Sequence, residues 1–261
     1  AATKLQARAK PLEKMLSKRL GIPVHVSMST DYNTVVEAMK SKKVDVGFLP
    51  PDGYVLAHKQ HAADLLLQAE RYGVKQPGGK ATKDLVKSYR AEILVKKGSK
   101  IKSWKDLKGK SISVQNPTSS AGYIFPVAEL KEKGLDVTKE SKLVTVTGHD
   151  QAVLNVLNGD TDAAFVFEDA RNTVKADNPK IMSQVVPIYF TKPIPNDTIS
   201  VRPDMSKAFK KKLAKAFIAV GKSPEGKKVI ESVYSHEGYA YTKDSDFNVI
   251  RKYDKIVEST K

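Results

Sequence analysis

Apolar residues along the chain recur in two alternating rhythms, one of three to four residues and one of two. At helical spacing, Leu5, Leu12, Met15, Leu16 and Leu20 predict a helix over 3–19 that Gly21 ends. Pro11 must either kink that helix or sit in a first turn. Val24 and Val26 then alternate as a strand over 23–28, and after Thr30-Asp31 a second helix carries Val35, Val36 and Met39 inward. Residues 43–49 predict a buried strand closed by Pro50-Pro51, 52–59 a helix, 65–67 a strand and 89–96 another. The polar, Gly-rich stretch between them, 73–84, predicts a loop. Alternating helices and strands with short links predict βαβ units and a parallel sheet.

The second half repeats the rhythm. Trp104, the sole tryptophan, is expected to pack between layers. Ile112 and Val114 mark a strand, 123–133 a helix, 143–146 a strand, and Val153, Leu154 and Leu157 a helix. Residues 163–167 predict a buried strand, followed by a short helix to Lys175 and a strand over 185–190. The Pro-rich link 192–197 leads to a strand over 198–201, and helices over 205–220 and 224–234 follow. One internal echo stands out: Asp45-Val46-Gly47-Phe48 and Asp162-Ala163-Ala164-Phe165 each open a buried strand. Ligands of open parallel sheets lie beyond strand ends, so the echo predicts two similar α/β lobes around one cleft.

Between the strand at 112–114 and its helix lies Asn116-Pro117-Thr118-Ser119-Ser120-Ala121-Gly122. The first N–H groups of a helix lack internal partners and carry partial positive charge. Hydroxyls set around them suit a small oxyanion. A single Ser/Thr N-cap would need one hydroxyl; three in a row followed by Gly exceed that need.

Charge and composition narrow the classes. The chain has 261 residues, 40% of them hydrophobic, and no apolar run near the roughly 20 residues a membrane-spanning helix needs. Without cysteine there are no disulfides, thiolate metal sites or thiol nucleophiles. The formal charge of +16 is spread along the chain, and its densest cluster, 207–215, reads as the solvated face of one amphipathic helix. No nucleic-acid module accompanies the charge, so the better partner for a basic surface is an anionic cell envelope. No Gly-x-Ser-x-Gly elbow, HExxH, paired His/Asp metal cluster or P-loop spacing occurs, so neither an enzyme nor a metal or cofactor is expected.

Taken together, Ala9-Lys10-Pro11-Leu12-Glu13, Val44-Asp45-Val46-Gly47-Phe48, Ser103-Trp104-Lys105-Asp106-Leu107-Lys108-Gly109, Thr118 to Tyr123, Gly148-His149 and Ile194-Pro195-Asn196-Asp197 carry a family resemblance. In this order and spacing the chain resembles the solute-binding proteins of phosphate, phosphite and phosphonate ABC transporters. That resemblance implies an α/β, two-lobed type II periplasmic-binding-protein architecture, each lobe a mostly parallel sheet flanked by helices, joined by two crossover strands. Lobe one is expected at 1–97 and 198–261, lobe two at 98–197.

The implied function is capture of a small phosphorus oxyanion in the interlobe cleft by an extracytoplasmic, monomeric protein. It would deliver that cargo to a membrane permease, with a lipid anchor ahead of residue 1 as one means of attachment. The implied ligand-binding residues are Ser119, Ser120 and Gly122 of the hydroxyl turn, Thr118 beside them, and Tyr89, Tyr54, His149, Glu168, Asp169 and Asp197. The family's turn carries a hydroxyl where this chain has Ala121, so Thr118 is expected to stand in for it. His149 is expected to donate as an imidazolium, with a helix cap or packed ring as its other reading. Glu168, Asp169 and Asp197 would accept from a ligand P–OH or a substituent amine, whereas Glu168 or Asp169 also suits a helix N-terminus. Tyr89 and Tyr54 suit packing as well as ligand contact. The resemblance further implies that the family's first strand and its loop precede Ala1 and contribute to the site. Two alternatives stay open: a sensor domain of the same fold, and a binder of a cationic vitamin precursor such as thiamine.

Overall fold

The computed structural model describes residues 2–29 and 31–261. Thr30, half of the expected Thr30-Asp31 turn, lies outside the described residues, as does Ala1. Besides two two-residue bridges, the strands are β1 (Val46–Leu49), β2 (Asp64–Lys75), β3 (Lys80–Val86), β4 (Ala91–Lys96), β5 (Ser111–Val114), β6 (Lys142–Thr145), β7 (Ala163–Phe167), β8 (Val185–Phe190), β9 (Thr198–Val201) and β10 (Gly238–Ala240). The architecture is α/β, with sheets flanked by helices.

The chain divides into two compact units, 1–72 with 84–88 and 195–248, and 73–83 with 89–194 and 249–261. This differs from the expected lobes, since β4 and the last residues of the chain fall in the second unit. In place of two crossovers, the chain passes between units at 72/73, 83/84, 88/89, 194/195 and 248/249.

In the first unit the sheet runs β1-β9-β2-β10, with β3 paired to β2. Its β1–β9, β9–β2 and β2–β10 pairings are antiparallel. The second unit's sheet runs β6-β5-β7-β4-β8, with β5 parallel to β6 and β7 and β4 antiparallel to β7 and β8. The expectation of mostly parallel sheets is therefore corrected: the first unit's sheet is antiparallel at these pairings and the second unit's is mixed. Parallel pairing follows from a crossover helix, whereas β4 and β9 enter their sheets directly after a passage between units.

Burial explains the local choices. On one core, Leu12, Leu16 and Leu20 of the helix Lys10–Leu20 meet Leu213 and Phe217 of Lys207–Lys222. Pro11 sits in the first turn of Lys10–Leu20, a position that needs no N–H donor, and Gly21 caps its end at φ 71°. Gly47 is needed in β1 because a Cβ there would lie 2.6 Å from the Met39 sulfur of the covering helix Tyr32–Lys40. In the second unit Leu94, Val153, Val156, Ala164 and Val166 form the core beneath the helix His149–Asn158.

Three further expectations are corrected. Residues 23–28 belong to no sheet: the N–H groups of Val24, Val26 and Met28 donate to Ser17 Oγ (3.0 Å), Glu13 Oε1 (2.8 Å) and Gln6 Oε1 (3.1 Å). Helix side chains have replaced a neighbouring strand. Residues 73–84 form the end of β2, the tip and most of β3 in the β2–β3 hairpin rather than a loop; polar residues on both faces hide its period. On the turn Trp104–Leu107 it is Leu107 that is buried, while Trp104 is only half-buried. A helix at Asn248–Glu258, not anticipated, buries Ile250, Tyr253 and Val257, and the Tyr253 hydroxyl donates to Glu129 Oε2 at 2.9 Å.

Candidate functional site

The second unit gathers several candidate residues at the C-terminal ends of β5 and β7. Beyond Val114 the chain turns tightly. Asn116 Oδ1 accepts the Thr118 N–H at 2.9 Å and also the Thr118 hydroxyl, and the Ser119 N–H donates to the Asn116 carbonyl at 3.0 Å. A π-helical turn, Ser120–Ile124, follows and leads into the helix Phe125–Glu132. Such turns occur often at functional sites, because the wider ring leaves backbone groups without partners. Here Ser119 Oγ accepts the Gly122 N–H at 3.1 Å, and the Ile124 N–H reaches the Ser119 carbonyl. The N–H groups of Ser120 and Ala121 have no carbonyl acceptor among the described residues. The half-buried Ser120 hydroxyl is likewise without an internal partner there. Thr118 differs from its expected role as a third donor: its hydroxyl is already used by Asn116, and the residue is exposed.

Gln115, which no motif singled out, organises this turn. A Cβ on Gly122 would lie 2.3 Å from Gln115 Cγ, so glycine is needed for the Gln115 side chain to pass. That side chain then reaches the next turn: Gln115 Nε2 donates to the Gly148 carbonyl and Gly148 N–H donates to Gln115 Oε1. Gly148 itself holds φ 92°, in the region only glycine enters freely, and opens the helix His149–Asn158.

His149 is thereby set beside the hydroxyl turn. Its Nδ1 accepts the Phe167 N–H at 3.2 Å, and its ring packs edge-on against Phe167 with centroids 4.7 Å apart. Burial pushes its pKa down to about 4 against the small opposing pull of Asp150. The expectation of an imidazolium is corrected: at neutral pH the ring is uncharged, and because Nδ1 accepts, Nε2 carries the proton. A neutral Nε2–H remains a hydrogen-bond donor.

The acids of the second unit are largely engaged. Glu168 Oε1 accepts the Arg90 N–H at 3.0 Å, and Arg90 Nε lies 3.4 Å from Oε2. Asp169, at the start of the short turn Ala170–Val174, accepts from the Asn172 amide. Glu92, read from the sequence only as part of a buried strand, is fully buried with Arg171 Nε 3.8 Å away. Burial raises its pKa to about 8 in spite of Arg171. Arg171 donates to the carbonyls of Met182, Val185 and Pro77, so it ties the hairpin tip to the body of the unit. Tyr89, half-buried, opens the segment leading into β4.

Two candidates belong to the first unit. Tyr54 is fully buried, its hydroxyl 2.7 Å from Asp244 Oδ1 and its ring edge-on to Phe247, which places it in the core rather than on a ligand-facing surface. Asp197 is half-exposed and lies 3.3 Å from Nε2 of the buried His236, whose Nδ1 meets the Tyr239 hydroxyl at 3.0 Å. The neighbouring Asn196 is buried and donates to the Ala69 and Val86 carbonyls, so the Ile-Pro-Asn-Asp motif is partly a structural clasp. Among the described residues no group of His, Asp and Glu could hold a metal ion, and no helix is long and apolar enough to cross a membrane.

Comparison with known proteins gives a family and a fold. The family model described as "ABC transporter, phosphonate, periplasmic substrate-binding protein" matches residues 1–247. The Phosphate-import protein PhnD of Mycolicibacterium smegmatis is 33% identical over 172 residues, 63% of this chain and 51% of that protein. The chain thus spans about half the length of that relative. XAC2383 from Xanthomonas citri, solved bound to ATP, superposes with a TM-score of 0.76 at 17% identity, covering 98% of this chain and 94% of that one. PhnD1 from Prochlorococcus marinus, solved with methylphosphonate, gives a TM-score of 0.67 at 18% identity over 97% and 93% of the two chains. The fold is that of the type II periplasmic binding proteins.

Proposed function

Because this chain belongs to the family of periplasmic substrate-binding proteins of phosphonate ABC transporters, we propose that it captures a phosphate, phosphite or phosphonate and passes it to a membrane permease. The family is one of extracytoplasmic binding proteins, not of enzymes. In this reading the protein works as a monomer at the outer face of the membrane, held there by a lipid anchor or free in the periplasm.

The observation that carries the proposal is the turn Ser119–Gly122 joined through Gln115 to the neutral His149. The Ser120 and Ala121 N–H groups, the two serine hydroxyls and His149 Nε2–H would supply the donors. All are neutral, as suits an anion that must later be released: directed N–H and O–H dipoles with a helix N-terminus bind an oxyanion without a salt bridge. Tyr89, in the same unit as these donors, would complete the shell.

Thermal unfolding against phosphate, phosphite, methylphosphonate, sulfate, thiamine and ATP tests this. A phosphorus oxyanion at 100 times its dissociation constant should add about 2.7 kcal/mol of stability. Stabilisation by thiamine alone would refute the oxyanion reading and favour the cationic-precursor alternative. Stabilisation by ATP alone would move the ligand class to nucleotides.

A further inference from the structure

We infer that the site selects phosphorus oxyanions that lack a cationic arm, and that Arg90 is the residue that sets this selectivity. The inference rests on the oxyanion reading above and narrows it. Ala91 and Phe167 are register partners across β4 and β7, so Arg90 and Glu168 are the next pair along the same two strands. Glu168 follows directly on Phe167, whose N–H holds His149, and so stands at the same strand end as the oxyanion donors.

At that position a free carboxylate would do two things: repel a phosphorus dianion, and attract an ammonium group carried by the ligand. Arg90 cancels both. Its N–H and Nε reach the two Glu168 oxygens at 3.0 and 3.4 Å, while the Glu168 N–H donates back to the Arg90 carbonyl at 2.9 Å. The guanidinium also lies over the Phe190 ring, with Arg90 Cζ 4.4 Å from the ring centroid. The Glu168 carboxylate is only 12% exposed, so Arg90, itself 37% exposed, covers it from the solvent side. Asp169 keeps one oxygen on Asn172, whose amide also reaches the Gly79 carbonyl at 2.8 Å. An incoming ammonium would have to displace an internal cation to reach Glu168, and a ligand whose charged group finds no partner is rejected.

Competition calorimetry with methylphosphonate and 2-aminoethylphosphonate tests the inference. The wild-type protein should favour methylphosphonate by about tenfold or more, the worth of one charge-assisted hydrogen bond. Arg90→Gln should lower that ratio by about tenfold, and the double variant Arg90→Gln/Glu168→Gln should restore it, because the uncovered carboxylate is gone. If Arg90→Gln does not fold, the wild-type ratio decides, together with Arg90→Lys, which keeps the charge and should keep the preference. Equal or tighter wild-type binding of 2-aminoethylphosphonate would overturn the inference while leaving the oxyanion reading intact. So would a ratio that Arg90→Gln leaves unchanged, or one that the double variant fails to restore. Binding of neither ligand would overturn this inference, and if phosphate and phosphite also fail to bind, the oxyanion reading falls with it.

Discussion

Gln115 and Gly148 hold each other by two hydrogen bonds, Nε2–H to carbonyl and N–H to Oε1, each 3.0 Å long. A primary amide is the one side chain of this length that offers a donor and an acceptor side by side, so it can bond both the N–H and the carbonyl of one residue. The pair fixes the distance between the hydroxyl turn and His149, two segments 33 residues apart in sequence. Gln115→Ala should cost about 1–2 kcal/mol of stability, measured by urea unfolding, for two largely buried hydrogen bonds. Gln115→Glu should cost at least as much, since a carboxylate faces the Gly148 carbonyl with no donor. Stability unchanged in both variants would show that the two turns are held by other means.

Gly122 bears on the same geometry from the other side. An added methyl would sit 2.3 Å from Gln115 Cγ and 2.7 Å from its Cβ, atoms too close to the backbone to swing away. Gly122→Ala should therefore destabilise by about 1–3 kcal/mol, as overpacking does, and weaken ligand binding along with it. In urea unfolding a Gly122→Ala/Gln115→Gly double variant, which removes both clashing atoms, should cost less than the sum of its two single changes, by the logic of a double-mutant cycle; costs that simply add would place the cause elsewhere.

Much of this was legible in the chain, and the failures share a cause. The strands at Ile112 and Val114 and at 163–167 show in the sequence because core burial imposes a period on apolar residues. The hydroxyl turn shows because several of its residue types are ones that cap helices. Gln115, Arg90 and His236 escaped because their roles depend on partners 33, 78 and 39 residues away, respectively, which local pattern cannot reveal. Direction of pairing escaped too: β4 and β9 look like any buried strand, and only topology makes them antiparallel. The position of His149 at a turn is legible in the sequence but its charge is not, because burial is a property of the fold.

The histidine can be checked directly. With a folded-state pKa near 4, below the ordinary 6.5, His149 contributes stability that is fully present above pH 6.5 and is lost as pH falls toward 4. Its ring protons, followed by NMR in the ligand-free protein, should titrate with a midpoint near 4. Ligand affinity between pH 6 and 8 should then owe nothing to His149 ionisation. A midpoint at or above 6.5 would restore the imidazolium and change the electrostatics of the site.

Glu92 gives the opposite dependence. Its folded-state pKa of about 8 lies above the ordinary 4.5, so the folded protein holds a proton that the unfolded chain releases. Stability from this group is full below pH 4.5 and declines as pH rises toward 8. Glu92→Gln, neutral at every pH, should flatten that decline and raise the melting temperature at pH 9 relative to wild type. An unaltered pH profile in the variant would mean that Glu92 is ionised in the fold, paired with Arg171 as an ion pair 3.8 Å apart.

The central claim is that the turn after β5 holds an oxyanion, and Ser120 tests it most cleanly. Ser119 also caps the Gly122 N–H, so its loss would mix stability with binding. Ser120 has no such internal hydrogen bond among the described residues. Calorimetric titration of Ser120→Ala with the oxyanion that stabilises the wild-type protein should show affinity reduced by about tenfold or more, with unfolding stability changed by no more than about 0.5 kcal/mol. Affinity equal to wild type in a stably folded Ser120→Ala protein would contradict the claim and move the anion away from this turn.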